Sequence, residues 1–260
     1  MRLNGLKIGF ERAGTGPALV LVHGAGEDGR IWRPQLAGLV DEFTVVAWDE
    51  PGAGQSSDLP ERFGLEGFAD ALGSLIDALG LGPAHVAGLS WGGTVVLELY
   101  RRRPQQVRSL ILIDSYAGWK GSLPAAEVMA RVEGTRRMLA APPESFDPTL
   151  PGLFAADPPD EYVPLLAAVA ANVRPATLER ELDIMARSDL SGLLPHIAVP
   201  TLLLWGRSDV RSPLSVAHQF AEAIPDAQLV VIDGAGHLSH LEQPEQVNNA
   251  IRAFCRANVP

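Results

Sequence analysis

Gly88-Leu89-Ser90-Trp91-Gly92-Gly93 is the stretch of sequence from which the fold of this chain can be deduced. The apolar run at residues 84–87 predicts a short buried strand before it, and residues 94–100 predict a packed helix after it. A Gly-x-Ser-x-Gly pattern between a strand and a helix is typical of a nucleophile elbow, in which glycines let the two backbones approach closely. An ordinary glycine turn can carry the same letters, so the rest of the chain must decide. The elbow interpretation predicts Ser90 at the carboxyl end of a strand.

Strands and helices alternate along most of the chain. Apolar runs predict strands at residues 3–10, 17–22, 43–48, 84–89, 107–113, 201–205 and 228–232. Helical patterns are found at residues 32–40, 65–79, 91–103, 214–224 and 244–254. This alternation predicts an α/β fold, with a mostly parallel sheet that carries helices on both faces.

The alternation stops at Tyr116. From there to about Pro195, helical patches separated by prolines replace it, without a convincing strand. An all-helical insertion of this kind is most simply a lid over the strand ends, where open α/β sheets bind ligands, and a purely stabilising appendage is the alternative. We therefore expect a core domain of residues 1–115 and 196–260 and a helical cap of residues 116–195.

Composition limits the classes of function. The chain has 260 residues, of which 47% are apolar, enough for one large domain with a substantial core. Its net charge of −10 argues against a nucleic-acid partner, because phosphates would be repelled. The single cysteine, Cys255, excludes an internal disulfide framework. No run approaches the roughly twenty apolar residues that span a bilayer, and no signal sequence is recognisable, so we expect a cytoplasmic protein without a membrane partner.

A serine nucleophile needs two partners: a histidine to take its proton and a carboxylate to orient the imidazole. His237 lies in a glycine-containing loop directly after the last predicted strand, and Asp209 follows the strand that ends at Trp205. Asp114, which follows the strand at residues 107–113, is the alternative acid, and His240 is the alternative base. The chain order Ser90, Asp209, His237 is the order of the α/β-hydrolases.

The chain resembles the α/β-hydrolase superfamily along nearly its whole length. The segments that carry the resemblance are His23-Gly24-Ala25-Gly26, Asp49-Glu50-Pro51-Gly52-Ala53-Gly54-Gln55-Ser56, Gly88-Leu89-Ser90-Trp91-Gly92, Trp205-Gly206-Arg207-Ser208-Asp209, and Gly236-His237 through Glu242-Gln243-Pro244. Small cap-bearing esterases, enol-lactonases and carbon–carbon bond hydrolases are the most similar members. The resemblance implies Ser90 as nucleophile, Asp209 as acid and His237 as base. It also implies an oxyanion hole formed by the backbone N–H groups of Ala25 and Trp91.

A competing motif overlaps the first of these segments. Residues 24–29 match the dinucleotide pattern G-x-G-x-x-G, and Asp49 lies twenty residues further on, at the next strand end. However, Glu27 and Asp28 would place two carboxylates where a pyrophosphate must bind. The histidines are scattered and no metal-binding spacing occurs. We therefore expect no cofactor and no metal.

These residues predict a cofactor-independent serine hydrolase that cleaves a small, largely apolar carboxylic ester or lactone through an acyl-enzyme. A carbon–carbon bond hydrolase acting on vinylogous diketones would use the same triad. A slow-turnover ligand receptor and a cofactor-free oxygenase or perhydrolase are alternatives from other classes. The residues expected to line the substrate pocket are Trp119, Met138, Leu153, Phe154 and Leu238. The sequence does not predict an oligomeric state.

Overall fold

Seven strands form one sheet in the computed structural model, which describes residues 1–140 and 152–258. They are β3 (Gly9–Ala13), β4 (Ala18–Val22), β5 (Thr44–Asp49), β6 (Ala84–Leu89), β7 (Val107–Ile113), β8 (Thr201–Gly206) and β9 (Ala227–Ile232), preceded by the short strands β1 (Arg2–Leu3) and β2 (Leu6–Lys7). Their order in the sheet is β3-β5-β4-β6-β7-β8-β9. Of these seven strands, only β3 runs antiparallel to its neighbour. The predicted α/β fold with a mostly parallel sheet is confirmed.

The prediction of one strand over residues 3–10 is wrong. β1 and β2 pair with each other as a separate antiparallel hairpin, and β3 begins only at Gly9. Asn4 and Gly5 form the turn of the hairpin, both with positive φ, of 48° and 84°. An Asn-Gly pair is the preferred sequence for a two-residue hairpin turn, since both residues tolerate this left-handed conformation.

The described residues form nine α-helices. They are α1 (Arg33–Leu39), α2 (Leu65–Ala78), α3 (Trp91–Arg102), α4 (Ala125–Ala140), α5 (Val163–Ala170), α6 (Pro175–Arg187), α7 (Leu214–Ala223), α8 (Ser239–Glu242) and α9 (Pro244–Ala257). Apolar side chains of α1 and α9 belong to one buried cluster, and those of α2, α3 and α7 belong to another.

Strand β4 shows why the sheet needs both clusters. Leu19 and Leu21 pack into the cluster of α1 and α9, whereas Val20 and Val22 pack into the cluster of α2, α3 and α7. Side chains alternate between the two faces of a strand, so a parallel strand covered on both faces must be apolar at consecutive positions. This requirement accounts for the unbroken apolar run at the centre of the sheet.

Helices α4, α5 and α6 lie between β7 and β8 in the chain, and we call them the inserted helices. The described part of this segment contains no strand, and residues 141–151 lie outside the described residues. Leu178, Leu182 and Met185 of α6 pack with Trp119 into the larger buried cluster. Among the helices that the structure describes, none is long and apolar enough to cross a bilayer.

Candidate active site

Ser90 lies in the sharp turn between β6 and α3. Its backbone has φ 52° and ψ −114°, a conformation that residues other than glycine seldom adopt. The turn is tight because β6 and α3 nearly touch: a Cβ added to Gly88 would lie 2.4 Å from the carbonyl oxygen of Gly92. Glycine at these positions therefore permits the strained turn, which holds Ser90 at the carboxyl end of β6.

His237 and Asp209 follow the neighbouring strands β9 and β8. The Nδ1 atom of His237 lies 2.8 Å from Oδ2 of Asp209, and both side chains are almost completely buried. The other carboxylate oxygen of Asp209 accepts hydrogen bonds from the backbone N–H groups of Arg211, at 2.7 Å, and Ser212, at 2.9 Å. This arrangement favours the tautomer with the proton on Nδ1 and leaves Nε2 able to accept a proton. His237 and Ser90 line the same cavity.

Asp114 lies behind this pair. Its Oδ1 atom accepts a hydrogen bond from the Gly206 N–H at 2.8 Å, and its Oδ2 atom accepts one from the Ser239 hydroxyl at 2.6 Å. Burial and the neighbouring charge of Asp209 raise the pKa of Asp114 well above its usual range. In the structure it is therefore Asp209 that contacts the imidazole, while Asp114 connects the ends of β7 and β8.

His240 and His23 occupy surroundings that differ from those of His237. His240 is completely buried in α8, with its ring centroid 4.6 Å from that of Trp32, and burial lowers its pKa to about 3. It does not line the cavity. His23 accepts the backbone N–H of Glu50 at Nε2, at 3.2 Å, and its Nδ1 lies 2.9 Å from the carbonyl oxygen of Gly24. His23 thus connects the loops after β4 and β5.

The loop after β4 presents one free amide to the cavity. Gly24 N–H donates to the Glu27 carboxyl at 2.7 Å, and Gly26 N–H donates to the Glu181 carboxyl at 2.8 Å. The N–H groups of Ala25 and Trp91 make no hydrogen bond to any residue that the structure describes. Ala25 also lines the cavity beside Ser90. The amides on either side of Ala25 are therefore anchored, while its own remains available for an anion.

The carboxyl groups of the half-buried Glu27 and of the buried Glu50 and Glu181 surround this loop. Burial raises the pKa of Glu27 to about 7, and it also raises the pKa values of Glu50 and Glu181. One oxygen of Glu50 accepts the indole N–H of Trp91 at 2.9 Å, and the negative charge of the neighbouring Glu181 carboxyl helps to raise the pKa of Glu50. No sequence pattern indicated this cluster, because Glu181 reaches the loop from α6, 155 residues away from Gly26.

The acidic residue of the dinucleotide-like motif is already engaged. The Oδ1 atom of Asp49 accepts the Gly29 N–H at 2.9 Å, and its Oδ2 atom accepts the Gln55 N–H at 2.8 Å. Asp49 therefore connects two loops of the core, and its oxygens are not directed toward a ribose. In the described parts of the chain, no group of three or more His, Cys, Asp or Glu residues is arranged to hold a metal ion.

A cavity of about 460 Å³ lies between the strand ends and the inserted helices. Four of the residues expected to line it do so, namely Trp119, Met138, Leu153 and Leu238. Phe154 does not border the cavity in the structure and packs instead against the apolar cluster of α1 and α9. Sequence reasoning also missed two arginines in the wall, Arg131 and Arg211.

Comparison with known proteins places the chain among hydrolases. Residues 19–250 match the family described as "Alpha/beta hydrolase family". The chain is 32% identical over 247 residues to the protein named "Putative carbamate hydrolase RutD" of Pseudomonas syringae pv. syringae (strain B728a), covering 92% of this chain and 93% of that one.

Two solved structures extend the comparison. A thermophilic esterase from Thermogutta terrifontis, solved with malate bound, is 32% identical with a TM-score of 0.83, covering 97% of this chain and 94% of the other. Est816, described as an N-acyl homoserine lactone degrading enzyme, is 24% identical with a TM-score of 0.79, covering 97% and 98% of the two chains. At that identity, the likeness to Est816 shows the fold alone.

Proposed function

The chain belongs to the alpha/beta hydrolase family, and from this premise we propose that it is a cofactor-independent serine hydrolase. Its substrate is a small carboxylic ester or lactone with a largely apolar body, cleaved through an acyl-enzyme. The observation that carries the proposal is the geometry of Ser90, His237 and Asp209. A strained serine and an imidazole bonded to a buried carboxylate border one cavity.

The first half of the reaction forms the acyl-enzyme. The Ser90 hydroxyl attacks the carbonyl carbon while its proton passes to Nε2 of His237. Asp209 stabilises the imidazolium through Nδ1. The negative charge on the carbonyl oxygen is stabilised by the N–H groups of Ala25 and Trp91, each worth about two to three orders of magnitude in rate. Collapse of this intermediate returns the proton from His237 to the departing alcohol.

The second half releases the acid. His237 takes a proton from a water molecule, which attacks the acyl carbonyl, and Ser90 leaves with that proton. In a lactone the alcohol stays attached to the acyl chain, so a single product is released. We assign residues 116–195, which include the inserted helices, as a cap that covers the strand ends. Such a cover excludes bulk water from the charged intermediates.

A second candidate is carbamate hydrolysis, because the relative that is 32% identical carries that name. A carbamate presents the same acyl carbon and oxygen to Ser90, so the machinery is compatible with it. Ammonia release from ethyl carbamate, compared with acid release from ethyl acetate at equal concentration, separates the two. The substrate with the higher kcat/KM identifies the class.

The decisive test uses Ser90→Ala. Hydrolysis of 4-nitrophenyl acetate should fall by about four to six orders of magnitude, while the thermal unfolding transition remains cooperative. Ser74→Ala is the matched control, since Ser74 lies on α2 and does not border the cavity. A fluorophosphonate should add one covalent adduct to the wild type and none to the Ser90→Ala variant. Undiminished turnover by that variant would exclude the mechanism.

The remaining alternatives give different results in the same experiments. A ligand receptor would acylate once and then release product slowly, so steady-state turnover would be far below the rate of acylation. An oxygenase or perhydrolase would require oxygen or peroxide and would retain activity without the Ser90 hydroxyl. A carbon–carbon hydrolase would lose activity in the Ser90→Ala variant but would prefer a vinylogous diketone to an ester.

A further inference from the structure

Arg211 is a charged group in the cavity wall that the mechanism does not use. It lies on the loop after β8, two residues beyond Asp209, and Asp209 fixes its backbone N–H at 2.7 Å. The Arg211 side chain borders the cavity together with Ser90 and His237. It is half-buried, and desolvation lowers the pKa of its guanidinium, although the group stays protonated at neutral pH.

The guanidinium of Arg211 lacks a partner within the described part of the chain, where it forms neither a hydrogen bond nor an ion pair. A guanidinium carries five N–H donors, and a buried charge is normally paired because its desolvation is costly. An arginine kept in this condition beside the reacting groups is best explained by a partner that arrives with the substrate.

Arg131, the other arginine of the wall, provides the contrast. Its guanidinium is paired with Glu127, at 2.6 Å, and donates to the Tyr116 hydroxyl, at 3.0 Å. It also donates to the backbone carbonyl of Arg211 and lies over the rings of Tyr116 and Trp119. Arg131 is thus committed to the protein, and its contact with the Arg211 carbonyl holds that loop against α4.

The acidic groups around the cavity are engaged with partners other than the Arg211 guanidinium. Asp209 is hydrogen-bonded to the neutral imidazole of His237 and keeps its negative charge, and Glu127 is paired with Arg131. Glu27 is the remaining acid in the wall, and its pKa of about 7 leaves it only partly ionised at neutral pH. No acid of the described residues lies within an ion-pair distance of the Arg211 guanidinium. Among the described residues, the Arg211 guanidinium is therefore left to pair with a bound molecule.

We propose that Arg211 forms a carboxylate-binding subsite, so that the substrate is an ester or lactone carrying a second, ionised carboxylate. This inference rests on the proposed hydrolase function and narrows its substrate class. A guanidinium matches a carboxylate through two parallel hydrogen bonds. A single unpaired guanidinium matches a monoanion, which favours a carboxylate over a phosphate dianion. The apolar remainder of the wall, including Leu153, Leu178 and Met185, accommodates the chain between the two ends.

The test compares pairs of esters that differ only in the charged end. Monoethyl adipate and ethyl 6-methylheptanoate place a carboxylate or an isopropyl group of similar shape on the acyl side. The second pair varies the alcohol side of the ester. The 4-acetoxybutanoate anion carries the carboxylate there, and the neutral 4-methylpentyl acetate carries the isopropyl group. A pH-stat gives kcat/KM for all four substrates. The pair in which the anion exceeds its neutral isostere by the larger ratio of kcat/KM shows whether the acid product or the alcohol product retains the carboxylate.

The variants are Arg211→Gln, Arg211→Lys and the matched control Arg207→Gln. Arg207 lies on the same loop but is exposed, pairs with Asp233 and does not border the cavity. The preference for the carboxylated ester over its isostere should fall about 10- to 100-fold in Arg211→Gln, as expected when a charged hydrogen bond is lost. Arg211→Lys should retain part of the preference, because it keeps the charge without the planar pair of donors. Arg207→Gln should retain all of it.

The outcomes separate the subsite from the proposed function. If neutral and charged esters are hydrolysed with the same ratio by the wild type and by Arg211→Gln, the subsite is refuted and the hydrolase stands. If neither kind of ester is hydrolysed, the hydrolase is refuted, and calorimetric titration with adipate still tests the subsite. Adipate should bind the wild type about 10- to 100-fold more tightly than Arg211→Gln. Equal binding, or none, would overturn the inference.

Discussion

Replacing Glu50 with Gln should stabilise the protein increasingly as the pH rises above 5. Glu50 is completely buried directly after β5, where one oxygen accepts the Trp91 indole N–H at 2.9 Å. Its other oxygen finds no N–H donor and faces the Glu181 carboxyl of α6. The carboxyl groups of Glu50 and Glu181 can share a hydrogen bond only while one of them is protonated. Burial and the charge of Glu181 raise the pKa of Glu50 well above its usual range. A glutamine amide would supply that donor permanently.

The sign follows from the difference between the folded and unfolded states. The ordinary pKa of a glutamate is 4.5, so above that pH the unfolded chain ionises Glu50 while the folded chain keeps it protonated. Stability from this group is fully present below pH 4.5 and is lost as the pH rises toward the folded pKa. The loss is about 1.4 kcal/mol for each pH unit between the unfolded and the folded pKa.

Urea unfolding of the wild type and Glu50→Gln at pH 5, 6, 7 and 8 measures this quantity. The difference in unfolding free energy between the two proteins should grow by about 1.4 kcal/mol per pH unit until the folded pKa is reached. Contributions of buried acids that do not contact Glu50 cancel in that difference, whereas Glu181 titrates together with Glu50 and belongs to the measured effect. Glu61→Gln is the control, because Glu61 is exposed and its difference from the wild type should not vary with pH. A difference for Glu50→Gln that stays constant from pH 5 to 8 would show that Glu50 is ionised in the folded protein.

Three further substitutions test the site. Ser90→Gly should abolish turnover, yet its free energy of unfolding should exceed that of Ser90→Ala by about 1 kcal/mol, because glycine relieves the strained turn. A Ser90→Gly variant less stable than Ser90→Ala would show that no strain is stored there. Asp209→Asn should lower kcat by about 10⁴, whereas Asp114→Asn should cost far less, and the reverse order would make Asp114 the acid. Phe154→Ala should lower the melting temperature without changing the preference among esters, while Leu153→Ala should change that preference. A change of ester preference in Phe154→Ala would place the Phe154 side chain at the substrate.

The sheet was predictable because its physics is local. A parallel strand covered on both faces needs consecutive apolar residues, as in β4, and an amphipathic helix such as α2 repeats its apolar residues every three to four positions. The failure at the amino terminus has an equally local cause. The prediction of an unbroken strand over residues 3–10 overlooked the Asn4-Gly5 turn, whose positive φ values reverse the chain after two residues.

The candidate triad was predictable from topology. Parallel strands end at one edge of the sheet, so residues that directly follow β6, β8 and β9 must meet there. The lining of the cavity was not predictable in the same way. The carbonyl of Arg211 contacts Arg131 across 80 positions of the chain, and neither residue belongs to a periodic pattern or a motif. Such contacts depend on how the inserted helices pack, which sequence periodicity does not encode.

The buried acids near Ser90 pose an electrostatic problem whose solution connects the inserted helices to catalysis. Glu27 and Glu181 hold the amides on both sides of Ala25, so they help to orient the N–H that we assign to the oxyanion. Fully ionised carboxylates at these positions would repel the negative charge that forms there. Burial raises the pKa values of these acids, so protons replace part of that charge at neutral pH. Because Glu181 belongs to α6, a helix that we assign to the cap also sets the geometry and the charge of the oxyanion loop, so substitutions on α6 should alter kcat as well as substrate choice.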